Sequence, residues 1–191
     1  MEIRSFLAFE LPEGIKKTVA RISGEIRHSS LDARWVKPEN IHLTVVFMGN
    51  IKSDDLGRLG AEVEDVCSGY GTFDIALKGM GCFPNWHRPR VLWMGLDGNL
   101  GRLSQFRDDL QKSLKAFGIK EERRRFKPHL TLARFRSTRK IGSELEEILK
   151  AYEALESPSE SVRELFLFKS ELKTGGAVYT KLKSWPLSGG K

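Results

Sequence analysis

The chain has 191 residues, 40% hydrophobic and 30% charged, which is the balance of a globular domain and not of a disordered or fibrous chain. No apolar run approaches the ~20 residues of a membrane-spanning helix. The run Ser5 to Phe9 is too short for a signal-peptide core. A net charge of +7 favours an anionic partner, nucleic acid first.

Arg4 to Glu10 is apolar and reads as a buried strand. Pro12 suits the first helical position. Ile15, Val19, Ile22 and Ile26 recur at helical spacing, so a helix runs to about Arg27, with His28 at its end. Arg34-Trp35-Val36 is a short strand broken at Pro38, and a strand from Ile41 to Met48 follows, closed by Gly49-Asn50. Ser53 and Asp54 suit the start of a second helix, with Leu56, Leu59, Val63 and Val66 on one face. Phe73, Ile75 and Leu77 alternate as a strand, and Gly79 and Gly81 beyond them predict a bulge or a close backbone approach. Phe83 to Pro89 is a loop in which Trp86 is expected to anchor its own segment, in preference to stacking on a base, and His87 is expected to be exposed.

Val91 to Leu96 is a strand, and Leu103, Phe106, Leu110, Leu114 and Phe117 define a third helix ended by Gly118. A basic run (Lys120, Arg123, Arg124, Arg125, Lys127) leads into a strand beginning near His129, and Arg134, Arg136, Arg139 and Lys140 follow. Around a strand such a run is as readily a solvated loop as an anion footprint. Ser143 with Glu146 is a capping-box pattern opening a helix with Leu145, Ile148, Leu149 and Tyr152. Val162 to Lys169 and Ala177 to Trp185 are strands joined through Lys173-Thr174-Gly175-Gly176, with hairpin chemistry, and the tail from Ser188 to Lys191 is expected to be loose. Cys67 and Cys82 read as free thiols of a reducing cytoplasm, and with four scattered histidines they make no zinc spacing.

One element is written twice. Asn40-Ile41-His42-Leu43-Thr44-Val45 and Lys127-Pro128-His129-Leu130-Thr131-Leu132 both carry His-Leu-Thr on an apolar strand. Residues i and i+2 of a strand share a face. His42 therefore lies beside Thr44 and His129 beside Thr131, with the leucines behind. A single copy would read as a satisfied core histidine, but the second copy changes that balance. The order strand, helix, connector, His-Leu-Thr strand, helix occurs once from Arg4 to Val66 and again from Val91 to Tyr152. The two histidines are as far apart in sequence as Arg4 and Val91, which suggests two related lobes and a pseudo-twofold axis bringing the motifs into one cleft.

Histidine, with an ordinary pKa near 6.5, transfers protons in both directions near neutrality. A pair divides the work of acid and base, each contributing about 10²–10⁴ in rate. Threonine hydroxyls donate to non-bridging phosphate oxygens, and arginine adds charge and bidentate geometry. No metal is needed to activate water where a base is positioned. The set points to a phosphodiesterase opening a cyclic or RNA-derived phosphate.

The paired His-x-Thr-x motifs resemble those of the two-histidine (2H) phosphoesterase superfamily. The flanks Arg34-Trp35-Val36-Lys37-Pro38 and Pro89-Arg90-Val91-Leu92-Trp93 are more closely similar to the RNA 2′,3′-cyclic phosphodiesterases, also called 2′-5′ RNA ligases, of bacteria and archaea. The resemblance spans nearly the whole chain. It implies an α+β, bilobal, pseudo-twofold fold over residues 1–191, a single domain with antiparallel sheets lining a central cleft and helices packed outside. It implies hydrolysis of an RNA-terminal 2′,3′-cyclic phosphate to a 2′-phosphate, without cofactor or metal. By that likeness His42 is the proton donor to the leaving 3′ oxygen and His129 the proton acceptor that activates water. The near-symmetric motifs alone leave the two roles interchangeable. Thr44 and Thr131 are the expected phosphate-binding residues. Arg134 is assigned to substrate binding by likeness only, since its odd spacing from Thr131 points it away in a regular strand. Expected partners are RNAs with cyclic-phosphate ends, tRNA fragments among them, with no membrane. The protein is expected to be a cytoplasmic monomer, with reverse 2′-5′ ligation as a companion reaction. A non-catalytic RNA-binding module and a small-molecule cyclic nucleotide phosphodiesterase are the alternatives.

Overall fold

The computed structural model describes residues 1–136, 143–174 and 176–190. The elements are β1 (Glu2–Phe9), α1 (Glu13–Arg27), β2 (Ala33–Trp35), β3 (Leu43–Lys52), α2 (Leu56–Ser68), β4 (Phe73–Phe83) and β5 (Val91–Gly98). There follow α3 (Leu100–Ser113), prolonged by a 3-10 turn (Leu114–Phe117), β6 (His129–Phe135), α4 (Ser143–Ala151), β7 (Glu160–Val162), β8 (Glu164–Lys173) and β9 (Gly176–Pro186).

Two antiparallel sheets form, in the orders β3-β1-β8-β9 and β2-β6-β5-β4-β7. Each half of the chain places its own first strand beside its own motif strand, β1 with β3 and β5 with β6. Each half then gives two strands to the other sheet, β2 and β4 from the first half and β8 and β9 from the second. β4 lies beside β5, and β8 lies beside β1. The pseudo-twofold arrangement of the α+β fold is therefore built by strand exchange.

The main core joins both sheets to the helices. Phe9 of β1, Phe73 of β4 and Phe106 of α3 are fully buried, with ring centroids 5.9, 5.9 and 5.3 Å apart. Burying one such ring is worth ~1.5–3 kcal/mol, so this contact alone resists separation of the sheets. Ile15, Val19, Ile22 and Ile26 of α1 are all buried, as their spacing predicts. β1 is buried on both faces. Leu7 and Phe9 enter the main core, while Phe6 and Ala8 join Phe168 in a small second cluster on the opposite face.

Several boundaries differ from the sequence reading. Pro12 is the cap before α1 and not its first residue. β3 starts at Leu43, after His42, and passes through Gly49-Asn50 to Lys52, because Gly49 takes φ +70° and bends the strand instead of ending it. β4 runs on through Gly79 (φ +64°), where the pairing with β5 shifts between Leu77 and Met80. Glu160–Val162 is a separate short strand on the edge of the second sheet, not the start of β8. The hairpin β8–β9 closes through Lys173 opposite Gly176; Gly175 lies outside the described residues, as do Arg139, Lys140 and Lys191.

Candidate active site

Both histidines are held by the same local device. The 3-10 turn Pro38–Asn40 delivers an extended Ile41, and the Asn40 carbonyl turns back to lie 2.8 Å from His42 Nδ1. In the second copy the Lys127 carbonyl lies 2.7 Å from His129 Nδ1. A carbonyl only accepts, so Nδ1 carries the hydrogen in each ring. The neutral imidazole then has its lone pair on Nε2, free for proton transfer. Each ring is also packed against aromatics of its own sheet. His42 stacks on Phe6 at 4.7 Å between centroids and meets Tyr179 edge-on at 5.3 Å. His129 meets Phe83 edge-on at 4.8 Å. Burial among these groups lowers both imidazole pKa values below 6.5, partly opposed by the carbonyl contacts, and the nearby positive charge of Arg134 lowers His129 further.

The motif strands carry matching bulges one residue after each threonine. Ala8 pairs with Thr44 but Leu7 with Val46, so Val45 is the extra residue of β3. Trp93 pairs with Thr131 but Leu92 with Ala133, so Leu132 is the extra residue of β6. Two consecutive buried residues follow each threonine, Val45-Val46 and Leu132-Ala133. A bulge resets the alternation of side chains beyond it. It therefore corrects the parity expected for Arg134, which returns to the face of Thr131 and lines the cleft. The same equivalence sets Ala8 against Trp93, two residues off the spacing read from Arg4 and Val91, so the equal spacing of strand starts is not the register of the repeat.

The cleft encloses about 1200 Å³. His42, Thr44, Thr131 and Arg134 line it. His129 is half-buried, on the Thr131 face of β6, and is not among the lining side chains. β3 and β6 themselves come within 8 Å of each other, Cα to Cα. Among the described residues the lining includes Arg4, Arg27, Arg34, Lys37, Arg134 and Arg136 and not one Asp or Glu. Arg34 and Arg134 are direct partners across β2 and β6. Like charges directly opposed in a sheet are destabilising unless something neutralises them.

The basic run before the second motif is not part of the cleft wall. None of Lys120, Arg123, Arg124, Arg125 or Lys127 lines the cleft, and Arg124 is paired with Glu122 at 2.7 Å. The cations that do line it come from β1, α1, β2, β6 and the segments just after β2 and β6. Trp86 is 53% exposed with its ring on His87, 3.7 Å between centroids, so it does not anchor its loop in a core; His87 is exposed as expected.

A phosphoesterase of the two-histidine class is what this exchanged pair of sheets and its anion-seeking cleft define. The family described as LigT like Phosphoesterase matches the chain twice, over residues 9–93 and 96–179, and the chain belongs to that family. The paired match repeats the two halves seen in the sheets. An RNA 2′,3′-cyclic phosphodiesterase of Methanothermobacter thermautotrophicus is 33% identical over 187 residues, covering 98% of this chain and 100% of the relative. One from Aquifex aeolicus is 29% identical over 189 residues, covering 98% of each. Escherichia coli LigT complexed with 3′-AMP has the same fold, with a TM-score of 0.75 at 25% identity over 98% of this chain and 99% of the other. A protein of Thermus thermophilus reaches a TM-score of 0.79 at 26% identity, with the same coverage.

Proposed function

We propose that this chain, acting as one bilobal unit, hydrolyses an RNA-terminal 2′,3′-cyclic phosphate to a 2′-phosphate by metal-independent acid–base catalysis. In this reading Thr44 and Thr131 donate hydrogen bonds to the non-bridging phosphate oxygens, and Arg134 adds charge beside them. His129 Nε2 takes a proton from water as its oxygen attacks phosphorus. The bond from phosphorus to the 3′ oxygen breaks, and protonated His42 delivers its Nε2 proton to that oxygen. The product keeps its phosphate on the 2′ oxygen, and the two rings exchange protons with solvent to reset. With a 5′-hydroxyl in place of water the same groups form a 2′-5′ linkage. Ends of broken tRNA have this substrate chemistry. The names of the relatives support the substrate class. The observation that carries the mechanism is the shared contact of His42 and His129 with the carbonyl two residues before each, which leaves both Nε2 atoms free at the starts of β3 and β6, strands of different sheets that come within 8 Å of each other, Cα to Cα.

The test is an oligonucleotide ending in a 2′,3′-cyclic phosphate, incubated with the protein in EDTA. The expected product is the 2′-phosphate. His42→Ala and His129→Ala are each expected to lose about 10²–10⁴ in kcat while still melting cooperatively. A 3′-phosphate product, or full turnover by either variant, would overturn the assignment.

A further inference from the structure

We propose that Trp86 is a stacking platform for the nucleotide preceding the cyclic-phosphate end of an RNA, a reading that rests on the phosphodiesterase proposed above. A tryptophan left 53% exposed gains little from folding. This one is nevertheless held out firmly. Asn85 Oδ1 accepts hydrogen bonds from the backbone N–H groups of His87 at 3.1 Å and Arg88 at 3.0 Å. The Arg90 N–H closes the loop onto the Phe83 carbonyl at 2.7 Å. The indole rests against the His87 ring, and half of its surface stays open to solvent.

Both ends of the loop are tied to the site. At the leading end the Phe83 ring meets His129 at 4.8 Å. At the trailing end the Arg90 carbonyl accepts a hydrogen bond from the Phe135 N–H at 3.1 Å, and Phe135 lines the cleft. Trp86 lies three residues beyond Phe83, a reach of at most about 10 Å. The proposal places the neighbour of a terminal nucleotide held at the histidines against this indole, beyond the cleft, whose lining does not include Trp86. Arg88 and Arg90 are exposed on the same loop, which contains no Asp or Glu, so the field around the ring favours the phosphodiester that joins the two nucleotides. An aromatic beside a cationic track is how single strands are held without base readout. A preformed loop also spares the cost of ordering it on binding.

The proposal distinguishes an oligonucleotide from a mononucleotide, and binding tests it without turnover. The probes are a trinucleotide ending in a 2′-phosphate and a mononucleotide 2′-phosphate. Wild type is expected to bind the trinucleotide more tightly. Trp86→Ala is expected to weaken trinucleotide binding by about 5–100-fold, the usual loss when a stacked ring is removed, and mononucleotide binding by less than about twofold. Trp86→Phe should recover most of the loss. Unchanged trinucleotide binding in Trp86→Ala, or equal losses on both probes, would overturn the platform. Trp86-dependent binding without hydrolysis of the cyclic-ended oligonucleotide would remove the hydrolase reading and leave the platform standing.

Discussion

The Asn40 side chain donates through Nδ2 to the Ala177 carbonyl at 3.0 Å, while its own backbone carbonyl accepts the Nδ1 hydrogen of His42 at 2.8 Å. The β8–β9 hairpin thus holds the residue that holds the first histidine. Asn40→Ala keeps the carbonyl but frees it from the hairpin. A partly buried hydrogen bond of this kind is worth ~1 kcal/mol, so a small loss of stability is expected. The larger expected effect is on kcat, about 3–10-fold, with KM little changed, since imprecise placement of a catalytic ring acts on the transition state. Nitrogen NMR of the His42 ring should show the Nδ1–H tautomer less populated than in wild type. An unaltered tautomer with an unaltered kcat would mean that the hairpin does not position His42.

Burial depresses both imidazoles, His129 with added help from Arg134. The bell-shaped profile of kcat/KM reports the free enzyme's acid and base, so its maximum is expected below the ordinary imidazole pKa of about 6.5. Arg134→Gln removes a positive charge and should raise the His129 pKa. If His129 is the base, the acidic limb moves to higher pH; movement of the alkaline limb instead would exchange the roles of the two histidines. Stability follows the same linkage. A histidine whose folded pKa lies below its unfolded value stabilises fully above pH ~6.5 and loses that contribution as pH falls through the folded value. Thermal melts should therefore drop on acidification below 6.5, and His42→Gln and His129→Gln should each flatten that dependence.

Arg34 and Arg134 face each other across β2 and β6 at the cleft wall. Directly opposed like charges cost roughly 0.2–1 kcal/mol. Arg34→Gln is expected to raise the melting temperature of the free protein by a few degrees. It should also weaken binding of inorganic phosphate or a nucleotide 2′-phosphate several-fold, so that ligand raises the melt of the variant less than that of wild type. A variant that is both less stable and unchanged in phosphate binding would show that the pair is not an anion site.

The helix faces and the motifs were legible because both rest on local periodicity. Ile15, Val19, Ile22 and Ile26 share a face whatever else the chain does, and His-Leu-Thr puts its polar pair together by strand alternation alone. What escaped the sequence were features decided by pairing partners. Leu132 looks like any apolar strand residue, and only its place opposite Leu92 and Trp93 makes it a bulge and turns Arg134 to the cleft. Gly49, read as a stop, is a bend within a strand because β1 continues alongside it as far as Glu2. The exchange of β4 and β8 between sheets leaves no local trace. For the same reason the cleft cations remote from the second motif were missed, although Arg134 was singled out. Arg4, Arg27 and Arg34 stand singly in three elements, whereas the conspicuous run before His129 faces solvent. The signal that was available for Arg34 is its place in Arg34-Trp35-Val36, between the first helix and the first motif.

Arg107 of α3 is only 7% exposed, yet it carries a full charge. It donates to the Glu122 carbonyl at 2.7 Å and to Asp108 Oδ1 at 3.0 Å, and its guanidinium lies 5.3 Å from the centre of the Phe126 ring. Phe126 immediately precedes Lys127, whose carbonyl holds His129. The helix therefore fixes the lead-in of the second motif, the part that Asn40 and Ala177 play for the first. Asp108 is largely exposed, so most of the energy lies in the contacts to the carbonyl and the ring. A hydrogen bond from a charged donor to a carbonyl is worth about 1.5–3 kcal/mol. Arg107→Met keeps the stem and the apolar packing and removes the donors, leaving the Glu122 carbonyl in need of water. The expected outcome is a fall in unfolding free energy of about 1–3 kcal/mol in a denaturant titration. kcat should fall several-fold at 25 °C while the variant is still folded, with binding of a mononucleotide 2′-phosphate retained, because the cleft cations are untouched. Arg107→Lys keeps the charge but not the fork, and should recover less than half of the lost stability. A destabilised Arg107→Met variant with wild-type kcat would confine the residue to a structural role.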